Sequence, residues 1–422
     1  MDCSLKRFVG LMAGTLLLVA AASARAQPVQ CAEGRDRGVG SLDEWTWQRL
    51  GAVYEAVEEN RFDEARADLQ GMLDHAGSDR YLRAVLNQAM GQVEWARADY
   101  DRALGYLETA VELDALPDAT HYALMYQIAQ LYFRQDRSTE ALARLEAWFC
   151  AVPPDAVTPA AWALKASILE RQARYADALE AIDTAIGMDR KPREPWYQLK
   201  LTAHYELGQF TEAAEALERL ISIRPERKDY WTQLSQIQFR LHQDQRALAV
   251  QALAWRMGLL DEQADITYLA SLYSHLKLPY KAADVLQRGI REGIVSPSSR
   301  YWTRIADAWY EAGELEQALS ALREAGAVAP DGRADLRRAY VLVDLERWSE
   351  AHEALDRALA RGGLDDRQIG EAHLLRGVAR FNLGELDGAG EDWSLAGGFE
   401  TAREAARQWM SFLREERRRR SS

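Results

Sequence analysis

Residues 230–254 read YWTQLSQIQFRLHQDQRALAVQALA, and their spacing decides the fold. Trp231 and Leu234 share one face of a first helix, with the small Ser235 beside them. Ala247 and Ala254 then fall, two turns apart, on one face of a second helix. A bulky aromatic, an aliphatic and a run of small residues at these intervals describe two antiparallel helices in close contact. The small residues let the backbones approach, and the aromatic fills the space beside them.

The pattern recurs along most of the chain. A small residue early in a second helix falls at Ala65, Ala103, Ala141, Ala178, Ala213, Ala247, Ala282, Ala318, Ala351 and Ala389, in several cases three places after an aromatic (Phe62, Tyr100, Tyr175, Phe210, Trp348). Successive gaps lie between 33 and 38 residues, the period of a helix–turn–helix repeat. Gly or a polar residue is expected in each inter-helix turn. Pro153, Pro225 and Pro330 are expected to stop second helices. The prediction is an all-α, right-handed solenoid of about ten helix pairs over residues 44–398. An irregular, glycine-containing arm (27–43) precedes it. A capping helix over 399–416, carrying Ala402, Ala406, Trp409 and Leu413, covers the last apolar face. A basic tail, 417–422, ends the chain. Two places depart from the period. Trp47-x2-Leu50-Gly51-x2-Tyr54 matches the first-helix pattern but lies two residues too far from Ala65, through an inserted turn residue or an accidental match. Arg361 to Gln368 reads as a longer loop.

Residues 1–26 have the form of a cleaved secretory signal. Lys6 and Arg7 precede the apolar run Phe8–Ala22, and Ala24-Arg25-Ala26 supplies a small-residue exit before Gln27. That run is short for a membrane span, so a periplasmic protein is expected. Net charge is −13, and removing 1–26 takes more cations than anions. This balance opposes a nucleic-acid role, which needs a basic face. Of three cysteines, Cys3 would leave with the signal. Cys31 and Cys150 would then form a disulfide in an oxidising compartment, or remain two separate thiols with Cys150 in the core.

Catalytic signatures are missing from the sequence. The histidines are scattered singly, with neither a His-x3-His pair beside a Glu nor a Cys-x2-Cys. No Gly-x-Ser-x-Gly elbow or Gly-x4-Gly-Lys loop occurs. A non-enzymatic scaffold without metal or cofactor is expected. Its alternative is an envelope enzyme with an unrecognised site between arm and groove. Eight residues before the marker alanines, in the last turn of the first helices, stand Trp95, Phe133, Tyr205, Phe239, Tyr310 and Phe381. One turn earlier come Gln130, Thr202, Gln236 and Asp307. Aromatics offer apolar area and amides can pair a peptide backbone, so this stripe suits an extended segment of a partner. Packing of each aromatic within its own repeat is the other reading. Arg417–Arg420 reads as a solvated tail, or as a contact for an anionic headgroup or acidic partner.

The repeat signature is that of the tetratricopeptide family, and the chain resembles it over roughly residues 44–400. More narrowly, the signal segment, Cys31, the degenerate first units, Asp229-Tyr230-Trp231-Thr232-Gln233-Leu234 and Leu278-Pro279-Tyr280-Lys281-Ala282-Ala283 resemble periplasmic repeat proteins encoded beside TonB–ExbB–ExbD energy-transducing systems. That resemblance implies an accessory of iron–siderophore uptake that binds TonB, ExbB or ExbD components or an outer-membrane receptor. It carries no catalytic residue over. A scaffold for envelope biogenesis or polysaccharide export uses the same architecture and remains the alternative.

Overall fold

The computed structural model of the chain describes residues 37, 40–189, 191 and 193–421. The signal segment and Cys31 lie outside the described residues. Among these residues there are twenty-one α-helices and no strand. The described residues form two compact units, one ending at Arg174 and one beginning at Tyr175.

The first unit contains α1 (Glu44–Glu58), α2 (Phe62–His75), α3 (Arg80–Ala96), α4 (Tyr100–Glu112), α5 (Asp118–Arg134), α6 (Ser138–Ala151) and α7 (Pro159–Arg171). The second begins with α8 (Tyr175–Met188), α9 (Glu194–Glu206), α10 (Phe210–Ile223), α11 (Lys228–Arg240), α12 (Asp244–Arg256), α13 (Gln263–His275) and α14 (Pro279–Arg291). It continues through α15 (Ser299–Glu311), α16 (Leu315–Val328), α17 (Arg333–Asp344), α18 (Trp348–Arg361), α19 (Asp366–Asn382), α20 (Leu386–Ala396) and α21 (Arg403–Ser421). Each odd-numbered helix through α19 is a first helix, and the even-numbered helix after it is its second. Nine of the ten expected pairs lie within one unit or the other, α7 and α8 falling on either side of the division, and the capping helix begins at Arg403 rather than at residue 399.

All ten marker alanines are buried. The quoted stretch shows why. Ser235 is fully buried where α11 and α12 approach, and its hydroxyl donates to Ala247 O at 2.8 Å. Trp231 is buried and donates Nε1–H to Pro225 O at 2.8 Å, so the proline-bearing connector is tied to the next repeat.

Every turn within a pair has the same closure. One residue takes a left-handed backbone, and the next N–H bonds back five residues into the first helix, as in Arg61 N to Ala56 O and Gln243 N to Gln238 O. This arrangement satisfies carbonyls that the helix end leaves free. Glycine takes the left-handed position only at Gly208, Gly313 and Gly384. Asn60, Ala98, Asp136, Ala173, His242, Lys277 and Glu346 take it elsewhere. Tertiary packing therefore holds most of these turns against the Cβ penalty.

Several expectations need correction. Trp47 is 70% exposed and Tyr54 is also exposed, while Thr46, Leu50, Val53 and Ala56 form the buried face of α1. The Trp47 match is accidental: its small residue, Gly51, stands two positions before Val53, which is the buried residue at that distance from Ala65. The loop expected over 361–368 is only residues 362–365, because Asp365 and Gln368 form a capping box that starts α19 early. The basic tail is not separate: α21 runs through it to Ser421. Cations in the last turns complement the helix dipole, and Arg417 pairs with Asp387 of α20 at 2.5 Å.

Candidate partner-binding faces of the first helices

In the first unit the aromatic stripe is largely covered by arginines. Trp95 packs edge-on to Tyr100 at 5.8 Å, and the Arg134 guanidinium lies 5.5 Å and 5.3 Å from those rings. Phe133 sits under Arg171 at 4.5 Å. In each case the arginine is the last residue of the next first helix. Gln130 is half-buried. These contacts favour the packing reading for Trp95 and Phe133.

The second unit is more open. Tyr205 is 46% exposed, resting edge-on against Phe210 at 5.5 Å. A cavity of about 550 Å³ is lined by Leu201, Thr202 and Tyr205 of α9 and by Gln233, Gln236, Ile237 and Arg240 of α11. Leu201 and Ile237 give it an apolar floor. Gln233, Gln236 and Thr202 supply donors and acceptors, and Arg240 supplies a cation held 4.1 Å over the Phe210 ring. Arg240 makes no ion pair among the described residues; its one polar contact is Nη1 to Tyr205 Oη at 3.5 Å. Phe239, exposed on the same helix, does not line this cavity. It stands edge-on to His275 at 5.4 Å, and His275 Nε2 meets Asp244 Oδ2 at 2.8 Å.

A second cavity, about 540 Å³, lies over α15, α17 and α19, and contains Asp307 and Tyr310. Here the polar groups are paired across repeats. Tyr310 Oη donates to Asp344 at 2.6 Å, Tyr340 Oη donates to Glu371 at 2.6 Å, and Arg337 pairs with Asp307. The Asp344 bond raises the Tyr310 phenol above its usual value. Burial and Glu371 raise Tyr340 further. Phe381 belongs to neither cavity. It packs against Trp393, Trp409 and Phe412, joining α19 to α20 and α21.

The stripe thus separates by location. Tyr205, Gln236, Tyr310 and Asp307 line cavities, whereas Trp95, Phe133 and Phe381 are engaged in packing. The sequence reading missed Gln233, Arg240, Arg337 and Tyr340. On α11, Gln233 and Arg240 stand one helical turn either side of Gln236, and that spacing was the available signal. Cys150, at the end of α6, is disulfide-bonded, and the other two cysteines lie outside the described residues. No metal-ligating cluster occurs among the described residues, and no described helix is long and apolar enough to cross a membrane.

The sequence profile of the tetratricopeptide repeat matches residues 89–156, 126–195, 199–258 and 336–396, more than half of the chain. No curated protein matches in sequence. Among solved structures, the chain is similar to a tetratricopeptide repeat protein from Parabacteroides merdae, at 13% identity and TM-score 0.37, covering 68% of this chain and 94% of that one. It is also similar to MamA from Desulfovibrio magneticus, at 15% identity and TM-score 0.37, covering 44% and 99%. YrrB, described as having an unusual peptide-binding site, matches at 18% identity and TM-score 0.36, covering 47% and 100%. The chain belongs to the tetratricopeptide repeat family, whose members bind protein and peptide partners.

Proposed function

We propose that this chain is a periplasmic scaffold whose second unit holds an extended segment of a partner protein at the α9–α11 cavity. The observation that carries the reading is the combination found there: an apolar floor, two side-chain amides and an arginine without a carboxylate partner, around about 550 Å³. That volume is typical of a ligand site. An apolar ligand side chain would fill the floor over Leu201 and Ile237. Gln233 and Gln236 would pair the ligand's backbone, and Arg240 would take an acceptor at its edge. The family supports a scaffold role. The form of residues 1–26 supports export, and the stretches around Trp231 and Pro279-Tyr280 support an accessory of a TonB-dependent, iron–siderophore uptake system.

The test places a photo-crosslinking residue at Gln236 and recovers adducts from the cell envelope. A TonB, ExbB or ExbD component or a receptor is the expected adduct, lost when Tyr205→Ala and Arg240→Ala are combined. Adducts that persist unchanged in that variant, whose helical content is checked by circular dichroism, would reject the cavity as the docking site. Recovery of only polysaccharide-export proteins would reject the uptake assignment while keeping the scaffold.

A further inference from the structure

Four residues after its marker alanine, every second helix of the second unit but one buries a large apolar side chain: Ile182, Leu217, Leu286, Leu322, Leu355 and Trp393. The exception is α12, where the position is Gln251. Its side chain is fully buried, and neither Nε2 nor Oε1 has a hydrogen-bond partner. The other buried residues of α12 are Ala247 and Ala254, while Leu253 is exposed. An unpartnered buried amide carries its full desolvation penalty, and α12 has no large buried apolar side chain to offset it.

The buried core divides at the same place. Leu217 and Leu220 of α10 cluster with Tyr230, Leu234 and Ile237 of α11. Ala254 belongs to a different cluster, which includes Trp231 and runs on to Ala379 of α19. Ile221 and Val250, both half-buried, touch each of the two. Two more unpartnered oxygens, Thr232 Oγ1 and Gln238 Oε1, stand on α11. The Ser235 bond to Ala247 O lies one turn before Gln251, so it fastens the first half of α12 to α11 and leaves the second half to weaker contacts.

We propose that the second half of α12, residues 251–256, is a joint in the second unit. It opens locally, pivoting on the Ser235–Ala247 contact, while the helices on either side stay folded. The α9–α11 cavity lies before the joint, and the cavity over α15, α17 and α19 lies after it. Opening therefore turns one cavity against the other and leaves both intact. The joint needs no bound partner, so it stands apart from the partner-binding reading.

Hydrogen exchange of the whole chain tests this, with residues 252–257 of α12 read against the equivalent residues 287–292 of α14, a helix with no unpartnered buried side chain among the described residues. In the native sequence the α12 amides are expected to exchange faster. Gln251→Leu should slow them by about 5-fold or more and leave 287–292 unchanged. Gln251→Met, apolar on an unbranched chain that adapts to the same space, should slow them likewise. Native α12 amides as slow as those of α14 would overturn the proposal. So would a failure of both variants to slow exchange, since the amide would then be satisfied within the fold. Slowing spread equally over α8–α20 would show that α12 opens only with the whole unit, and would overturn the joint.

Discussion

Among the glycines inside helices of the second unit, Gly377 is the position that should be least tolerant of a single methyl group. It lies on α19 facing α20, and a Cβ built there would meet Trp393 Nε1 at 2.4 Å, Cδ1 at 2.6 Å and Cε2 at 2.8 Å. Trp393 is fully buried, stacked on Trp409 at 5.1 Å, with its Nε1–H donating to Leu374 O at 3.2 Å. A rigid indole with a hydrogen bond on one side and a ring on the other has little room to retreat. In a helix interior, alanine is favoured over glycine by roughly 0.5–1 kcal/mol. Overpacking costs about 1–3 kcal/mol, and weakening the indole hydrogen bond adds about 0.5–1.5 kcal/mol. Gly377→Ala should therefore destabilise the α19–α21 region by about 1–3 kcal/mol. The matched control is Gly105→Ala on α4, where a Cβ meets nothing within 4 Å, and a gain of about 0.5–1 kcal/mol is expected. Repeat arrays open locally, so hydrogen exchange of α19 and α20 is the measurement, with the α3–α4 pair read for the control. Unchanged or slower exchange at α19–α20 in Gly377→Ala would refute the reasoning, because it would show that the indole yields freely.

Two further outcomes are expected. His121 is buried with Nε2 4.0 Å from Asp114, and burial, then the nearby Arg37, hold it below the usual 6.5 despite Asp114 and Asp118. The folded chain thus binds this proton less readily than the unfolded one. The stability His121 contributes is present above pH 6.5 and is lost as pH falls through the folded value. Replacing it by Gln should flatten the pH dependence of exchange in α5 below pH 6.5, and an unchanged slope would refute the assignment. Peptide mapping without reduction should recover Cys150 linked to Cys31; linkage to Cys3, or a free Cys150, would reject that pairing.

The array was legible because its signal is steric and repeated. Ala247 beside Ser235 can be read from residue type and interval alone, and the same logic located all ten buried marker alanines. The accidental match at Trp47 shows the limit. Its pattern was local, while the distance to Ala65 carried the register, and that distance disagreed. The inter-helix turns were less readable, since Ala98, Ala173 and Lys277 take a left-handed backbone that their own propensities oppose. The start of α19 was missed for a different reason. Asp365 and Gln368 are an Asp-x2-Gln capping pair, a local signal overshadowed by Gly362 and Gly363.

The stripe was legible as a face but not as a surface. Whether an aromatic there meets solvent depends on the last residue of the next first helix. Arg134 and Arg171 cover the stripe at Trp95 and Phe133. At Tyr205 the corresponding residue, Arg240, lies instead over Phe210, which leaves the phenol exposed beside the α9–α11 cavity. The contacts that bridge repeats in the second unit's cavities are solvent-exposed pairs, such as Arg337 with Asp307 and Tyr310 with Asp344. Exposed ion pairs contribute only about 0–1 kcal/mol, so a partner's backbone can replace them with little loss. The buried contacts beneath, such as Ser235 with Ala247, keep the helices in place during that exchange. A rigid core under weakly held polar groups is what a face needs in order to accept an extended segment without unfolding.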